Sequence, residues 1–124
     1  MNIKGCYEAF GGDYDDVLAR LSKEERVEKY IIRFLDDQSF VQLKAALAEG
    51  NTELAFRSAH TLKGVAQNLS LTPIYEMDFE LTETLRNYNS VDMDLAKAQF
   101  EKTQEAYNMV IEAIKAYKES SNRF

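Results

Sequence analysis

The sequence predicts an all-α fold: an up-and-down antiparallel four-helix bundle with one or two short additional N-terminal helices. Three observations carry this expectation. One proline and five glycines in 124 residues leave few points that force the chain out of helix. Segments that alternate with period two are scarce, whereas apolar residues recur at steps of three and four. Connections between these stretches are short, which favours helices that double back on one another. No internal repeat, low-complexity stretch or Gly/Ser linker divides the chain, so one domain over residues 1–124 is expected.

Residues 1–11 are expected to form a loose N-terminus. In "FGGDYDDVLARL" the glycines precede Asp13, a cap for a short first helix to about Arg20. Ser22, with Glu25 three places on, gives a capping-box pattern for "KEERVEKYIIRFLDD", where Val27, Tyr30, Ile31 and Phe34 share a face. The pattern breaks at "DDQSF" and resumes in "FVQLKAALAEG" with Phe40, Leu43 and Leu47, until Gly50 stops it. Asn51 can cap the next helix, which carries His60 and runs to about Leu71. Thr72 followed by Pro73 marks a new start, with Ile74, Met77, Leu81, Leu85 and Tyr88 as its stripe. Asn89 and Ser90 interrupt that stripe, and Asp92 and Asp94 put negative charge at the positive end of the final helix. There Met93, Ala96, Phe100, Thr103, Tyr107, Val110, Ile114 and Tyr117 form a seam that wants nearly antiparallel partners. Residues 119–124 are expected to fray.

A formal charge of -6 argues against non-specific binding to nucleic acid or anionic lipid. Neither a secretory leader nor an apolar stretch of membrane-spanning length is visible, and a cytoplasmic location is expected. Cys6 is the single cysteine, so no intrachain disulfide is possible, and the thiol suits a reducing compartment. As a nucleophile it is a poor candidate, since its only candidate base is far away in sequence. With one histidine and one cysteine, only carboxylates could complete a metal site. Asp13, Asp15 and Asp16 lack the spacing and glycine of a calcium loop and read as helix-start charges. Gly5, Gly11, Gly12, Gly50 and Gly64 match neither a P-loop nor a kinase glycine loop. No ATP site, and no cofactor of the chain's own, is expected.

Attention therefore falls on "AHTLKG", residues 59–64. A glycine within a helix is unfavourable by about 1 kcal/mol relative to alanine, yet Gly64 stands four residues after His60. At about 100° per residue, Ala55, Ala59, Leu62, Ala66 and Leu69 cluster within about 40° of one direction, which must face the core. His60 lies about 140° from it and projects outward. Gly64, one turn along the exposed face, would leave a notch beside the imidazole. Lys63, also about one turn away, can bring a flexible ammonium to an anionic group on the ring.

The stretch "AHTLKGVAQNLSL" resembles the motif of histidine-containing phosphotransfer (HPt) domains, the carriers of multistep His–Asp phosphorelays. Ala59, His60, Leu62, Lys63, Gly64, Ala66, Asn68 and Leu69 match. Upstream, "FLDDQSFVQLKAALAEGN" resembles the helix and turn that precede that motif, and downstream "LTPIYEMDFELTETLR" resembles the following helix. The likeness covers roughly residues 34 to 86, with a weaker match in "FGGDYDDVL". Val65, Gln67 and Ser70 depart from the family's usual small residues. Thr82 stands where a Leu-Glu pair often supplies an acid.

The resemblance implies that His60 is phosphorylated through Nε2, that Lys63 steadies the phosphoryl group and that Gly64 gives the partner room. Gln67, on the face of His60, is a further candidate for a hydrogen bond to ring or phosphate. The implied partners are receiver domains of a hybrid sensor kinase and of a response regulator, with Mg2+ on the receiver. A collar from Val17, Leu18 and Phe56 is expected to seat them. Two rival readings are a helical interaction module that sequesters a regulator with His60 unmodified, and a dimeric histidine kinase, which is disfavoured because no nucleotide-binding region follows. A monomer is the default expectation.

Overall fold

The computed structural model describes residues 1–121 and gives seven helices among them. These are α1 (Ile3–Phe10), α2 (Tyr14–Leu21), α3 (Glu24–Phe34), α4 (Ser39–Glu49), α5 (Thr52–Asn68), α6 (Thr72–Leu85) and α7 (Met93–Ser121). The four-helix bundle is built by α4 packing on α5, α5 on α6, and α6 on α7. Short connections make each of these pairs antiparallel neighbours. Phe40 of α4 closes the circle, its ring stacked on Phe100 at 5.5 Å and on Tyr107 at 3.9 Å, both from α7. Against this bundle α1 lies on α7, and α3 touches both.

Capping chemistry sets most boundaries. Asp13 accepts from the Asp16 N–H at 3.1 Å, Asn51 from the Leu54 N–H at 3.1 Å and Asp92 from the Leu95 N–H at 3.1 Å. Each satisfies an amide that the first helical turn leaves free. Gly50 ends α4 in the left-handed conformation, φ 73, where a side chain would be strained. Pro73 lies in the first turn of α6.

Several expectations are corrected. Residues 1–11 are not loose: Asn2 caps α1 by accepting from the Gly5 N–H at 2.7 Å. Ile3, Cys6, Tyr7 and Phe10, spaced i, i+3, i+4 and i+7, are all buried. The additional N-terminal helices that flank the bundle are α1, α2 and α3. Burial also pushes the Cys6 thiol up to about 11, which keeps it protonated and inert. Ser22 does not open α3; it ends α2 at φ 73, its N–H bonded to the Leu18 carbonyl at 2.7 Å. Tyr30 points outward while Val27, Ile31 and Phe34 are buried. Helix α5 stops at Asn68 rather than near Leu71. On α6 Met77 is only partly buried, and Tyr88 follows the helix end. At the other terminus α7 remains helical through Ser121; the fraying expected of residues 122–124 lies outside the described residues.

Both ends of α5 are tied down. At its start the Thr52 hydroxyl donates to the Tyr88 carbonyl at 2.6 Å. At its end Arg20 of α2 donates to the carbonyls of Gln67 at 3.3 Å and Asn68 at 2.9 Å, and to the Ser70 hydroxyl at 3.1 Å. A cation there satisfies free carbonyls and opposes the negative end of the helix dipole. Asp16 completes the cluster, bonded to Arg20 at 2.8 Å and to the Ser70 hydroxyl at 2.7 Å. Those bonds, from Ser70 first and then Arg20, hold its carboxyl below the ordinary range. Ser70 adopts φ 55, a conformation in which glycine is at ease, and its hydroxyl bonds to Asp16 and Arg20 help offset that strain.

A further tie comes from α1, whose Tyr7 hydroxyl donates to the Leu69 carbonyl at 2.7 Å inside the protein. Tyr7→Phe should lower stability by about 1 kcal/mol, because the carbonyl stays buried without its donor. Urea unfolding reads this out, and an unchanged midpoint would show that the bond contributes nothing.

Candidate functional site

Helix α5 presents small residues to the core: Ala55, Ala59 and Ala66 are fully buried together with Leu62. These let α4 and α6 approach closely, and they leave the outer face to polar residues. His60 is exposed on that face, as the helical arithmetic placed it. One turn on, a Cβ built at Gly64 would meet nothing within 4 Å. The backbone of Gly64 is not in the left-handed region. Neither packing nor conformation of the chain itself demands a glycine there.

Lys63 is half-buried toward α6. Its Nζ rests 5.1 Å from the ring centroid of Phe79, within cation–π range. Phe79 is itself 42% exposed. The ion pairs among the described residues are Arg20–Asp16, Arg57–Glu53 and Arg86–Glu83, so the Lys63 ammonium is in none of them. It can therefore turn to an incoming anion without breaking a strong pair.

Gln67 is exposed too, two turns beyond His60 or about 10 Å along the axis. Its side chain lines a depression with Asp16, Arg20, Ser70 and Tyr75, and it forms no hydrogen bond to the ring among the described residues. Of the expected collar, Phe56 stands beside the imidazole, ring centroids 5.9 Å apart. Leu18 is partly buried against the core. Val17 is fully buried and cannot serve as a docking residue, since it is the α2 side chain that packs inward.

The end of α6 and the residues just after it contribute what the sequence reading missed. Arg86 lies over the Phe56 ring at 5.4 Å and bonds Glu83 at 2.8 Å, and Tyr88 stacks on Phe56 at 6.2 Å. Hydrogen bonds from Arg86 hold the Glu83 carboxyl below its ordinary range, and the charges of Lys63 and His60 act in the same direction. The imidazole thus sits beside an aromatic shelf with cations and one carboxylate at its edge. Deeper in the same seam, Asp78 is fully buried. A signal for it was present, because Ile74, Asp78, Leu81 and Leu85 share the i, i+4, i+7, i+11 spacing of one helix face.

A family model described as Hpt domain matches residues 36–117, more than half of the chain. The chain belongs to the Hpt domain family. Hpt domains take part in histidine phosphotransfer in phosphorelay signalling, working with receiver domains as carriers rather than as kinases. Neither curated proteins nor solved structures yield a match to this chain. In this Hpt domain the matched stretch holds α4, α5, α6 and most of α7, whereas α1, α2 and α3 lie before it. The Arg20 and Tyr7 ties to the end of α5 therefore come from outside the matched stretch. None of the described helices is long and apolar enough to cross a membrane.

Proposed function

We propose that this Hpt domain accepts a phosphoryl group on Nε2 of His60 from the phospho-aspartate of one receiver domain and passes it to the aspartate of another. The observation that carries this is an exposed imidazole on a helix tied at both ends, with open space at Gly64 and, at Lys63, an ammonium in no ion pair among the described residues. A neutral imidazole is a competent nucleophile near neutral pH. Its Nε2 lone pair attacks phosphorus in line. The N–P bond forms as the P–O bond to aspartate breaks, and the carboxylate leaves with its electron pair while Nδ1 keeps its proton. The receiver would supply its own Mg2+, which would offset charge on the phosphoryl group during transfer. Lys63 offsets charge on the equatorial oxygens as it builds. Return transfer is the same step reversed, so the chain acts as a carrier, one copy docking on one receiver.

Incubation with a phosphorylated receiver domain should transfer acid-labile label to wild-type protein and none to His60→Gln. Equal labelling of the two would end the proposal. An unlabelled wild type, faced with the receivers of its own host, would favour a sequestering module instead.

A further inference from the structure

One buried ionisable group takes no part in the transfer just described. Asp78 lies on α6 with no exposed surface, and neither oxygen of its carboxyl has a hydrogen-bond partner among the described residues. The nearby Thr82 hydroxyl is committed to the backbone carbonyl of Asp78 at 2.8 Å. An isolated carboxylate in such a place is costly unless a cation reaches it. Burial accordingly pushes the carboxyl up to about 8, opposed first by the charge of Lys63, across the α5–α6 seam, and less by the neighbouring Thr82 hydroxyl, whose own bond goes to the backbone. Helix α7, which also packs on α6, brings no charge to bear on it among the described residues. The other carboxylates of α6, Glu76, Glu80 and Glu83, are exposed.

Lys63 stands between two anionic positions. Its ammonium rests over Phe79, the residue next to Asp78, and its stem leaves α5 about 60° round the axis from His60. Rotation of its flexible four-carbon stem would move the charge between the α5–α6 seam and the exposed face that carries His60. One ammonium cannot serve both. We propose that Asp78 is a positioning residue for Lys63: ionised, it draws the ammonium into the α5–α6 seam, and protonated, it releases the ammonium to the phosphoryl group on His60. This rests on His60 being the phosphorylated residue, though its test needs no receiver. Above the folded midpoint, where Asp78 is ionised, phosphorylation draws Lys63 outward, and the carboxylate left behind takes up to one proton from solvent to become the neutral acid. Dephosphorylation returns that proton. By linkage, raising the pH ionises Asp78 and weakens the hold on the phosphoryl group to the same degree.

The test uses the full chain, with its single histidine phosphorylated chemically by phosphoramidate. Carboxyl-carbon NMR should show the Asp78 titration midpoint rising by about 1 unit on phosphorylation, the size expected when a neighbouring cation departs. In Lys63→Gln the midpoint should already be high and move less than half as far, while Lys63→Arg should restore the full shift. A midpoint unmoved by phosphorylation, or a shift as large in Lys63→Gln, would overturn the proposal. Failure of transfer from receiver domains with this coupling intact would count against the phosphorelay role alone.

Discussion

Gly64→Gln is expected to slow phosphoryl transfer from a receiver domain by about 100-fold while leaving the bundle at least as stable as wild type. The two halves of this result have separate causes. Position 64 is helical, and a Cβ there has open space around it, so a longer side chain meets no obstacle within the free protein. Gly64→Ala should even stabilise the helix by about 0.5–1 kcal/mol, since alanine has less backbone entropy to lose. A docked partner is another matter. A side chain one turn from His60 would hold the receiver's phospho-aspartate away from Nε2, and a displacement of about 1 Å can cost about 100-fold in rate. Single-turnover transfer kinetics and thermal unfolding on the same preparations check both halves. Unimpaired transfer in Gly64→Gln would show that no partner uses the gap.

Asp78→Asn and Asp78→Leu should both make the protein more stable at pH 8, the leucine variant by about 1–3 kcal/mol. In the unfolded chain the carboxyl titrates near its ordinary value of 3.8, whereas burial lifts it to about 8 in the fold. Between these values the folded protein holds a proton that the unfolded chain has released. Its contribution to stability is complete below the lower value and is lost as pH rises to the upper one, by up to about 1.4 kcal/mol per pH unit. Urea midpoints at pH 5, 7 and 9 should therefore diverge, with wild type declining more steeply than either variant. Parallel curves would mean that Asp78 reaches a partner in solution.

Much of the fold was readable because capping and periodicity are local. Asn51, Gly50, Asp13, Asp92 and Pro73 each act on their own helix end, and each does so in the structure. The outward direction of His60 followed from the alanines behind it, again within one helix. Helix α1 was overlooked although Ile3, Cys6, Tyr7 and Phe10 carry a regular spacing, because eight residues form a helix only when something covers them, and the cover comes from α7. Ser22 carried a capping-box pattern, but its backbone had already turned left-handed to finish α2. The surroundings of His60 were the least legible part. Phe79, Glu83 and Arg86 reach it through the rotation of α6 against α5, and no single helix encodes that angle. Asp78 was hidden by its chemistry, since a carboxylate on an apolar stripe is more readily taken for a surface residue than for a core one.

The fastening of α5 at both ends, by Thr52 to Tyr88 at one and by Arg20 and Tyr7 at the other, bears on how a visitor would meet it. A helix held this way has little shape left to choose on encounter, so no slow rearrangement should precede docking. The observed rate of exchange should rise in proportion to receiver concentration at low occupancy, without a separate unimolecular phase. Discrimination among receivers would then reside in how long each remains, a matter of surface fit rather than of persuading the carrier to reshape itself.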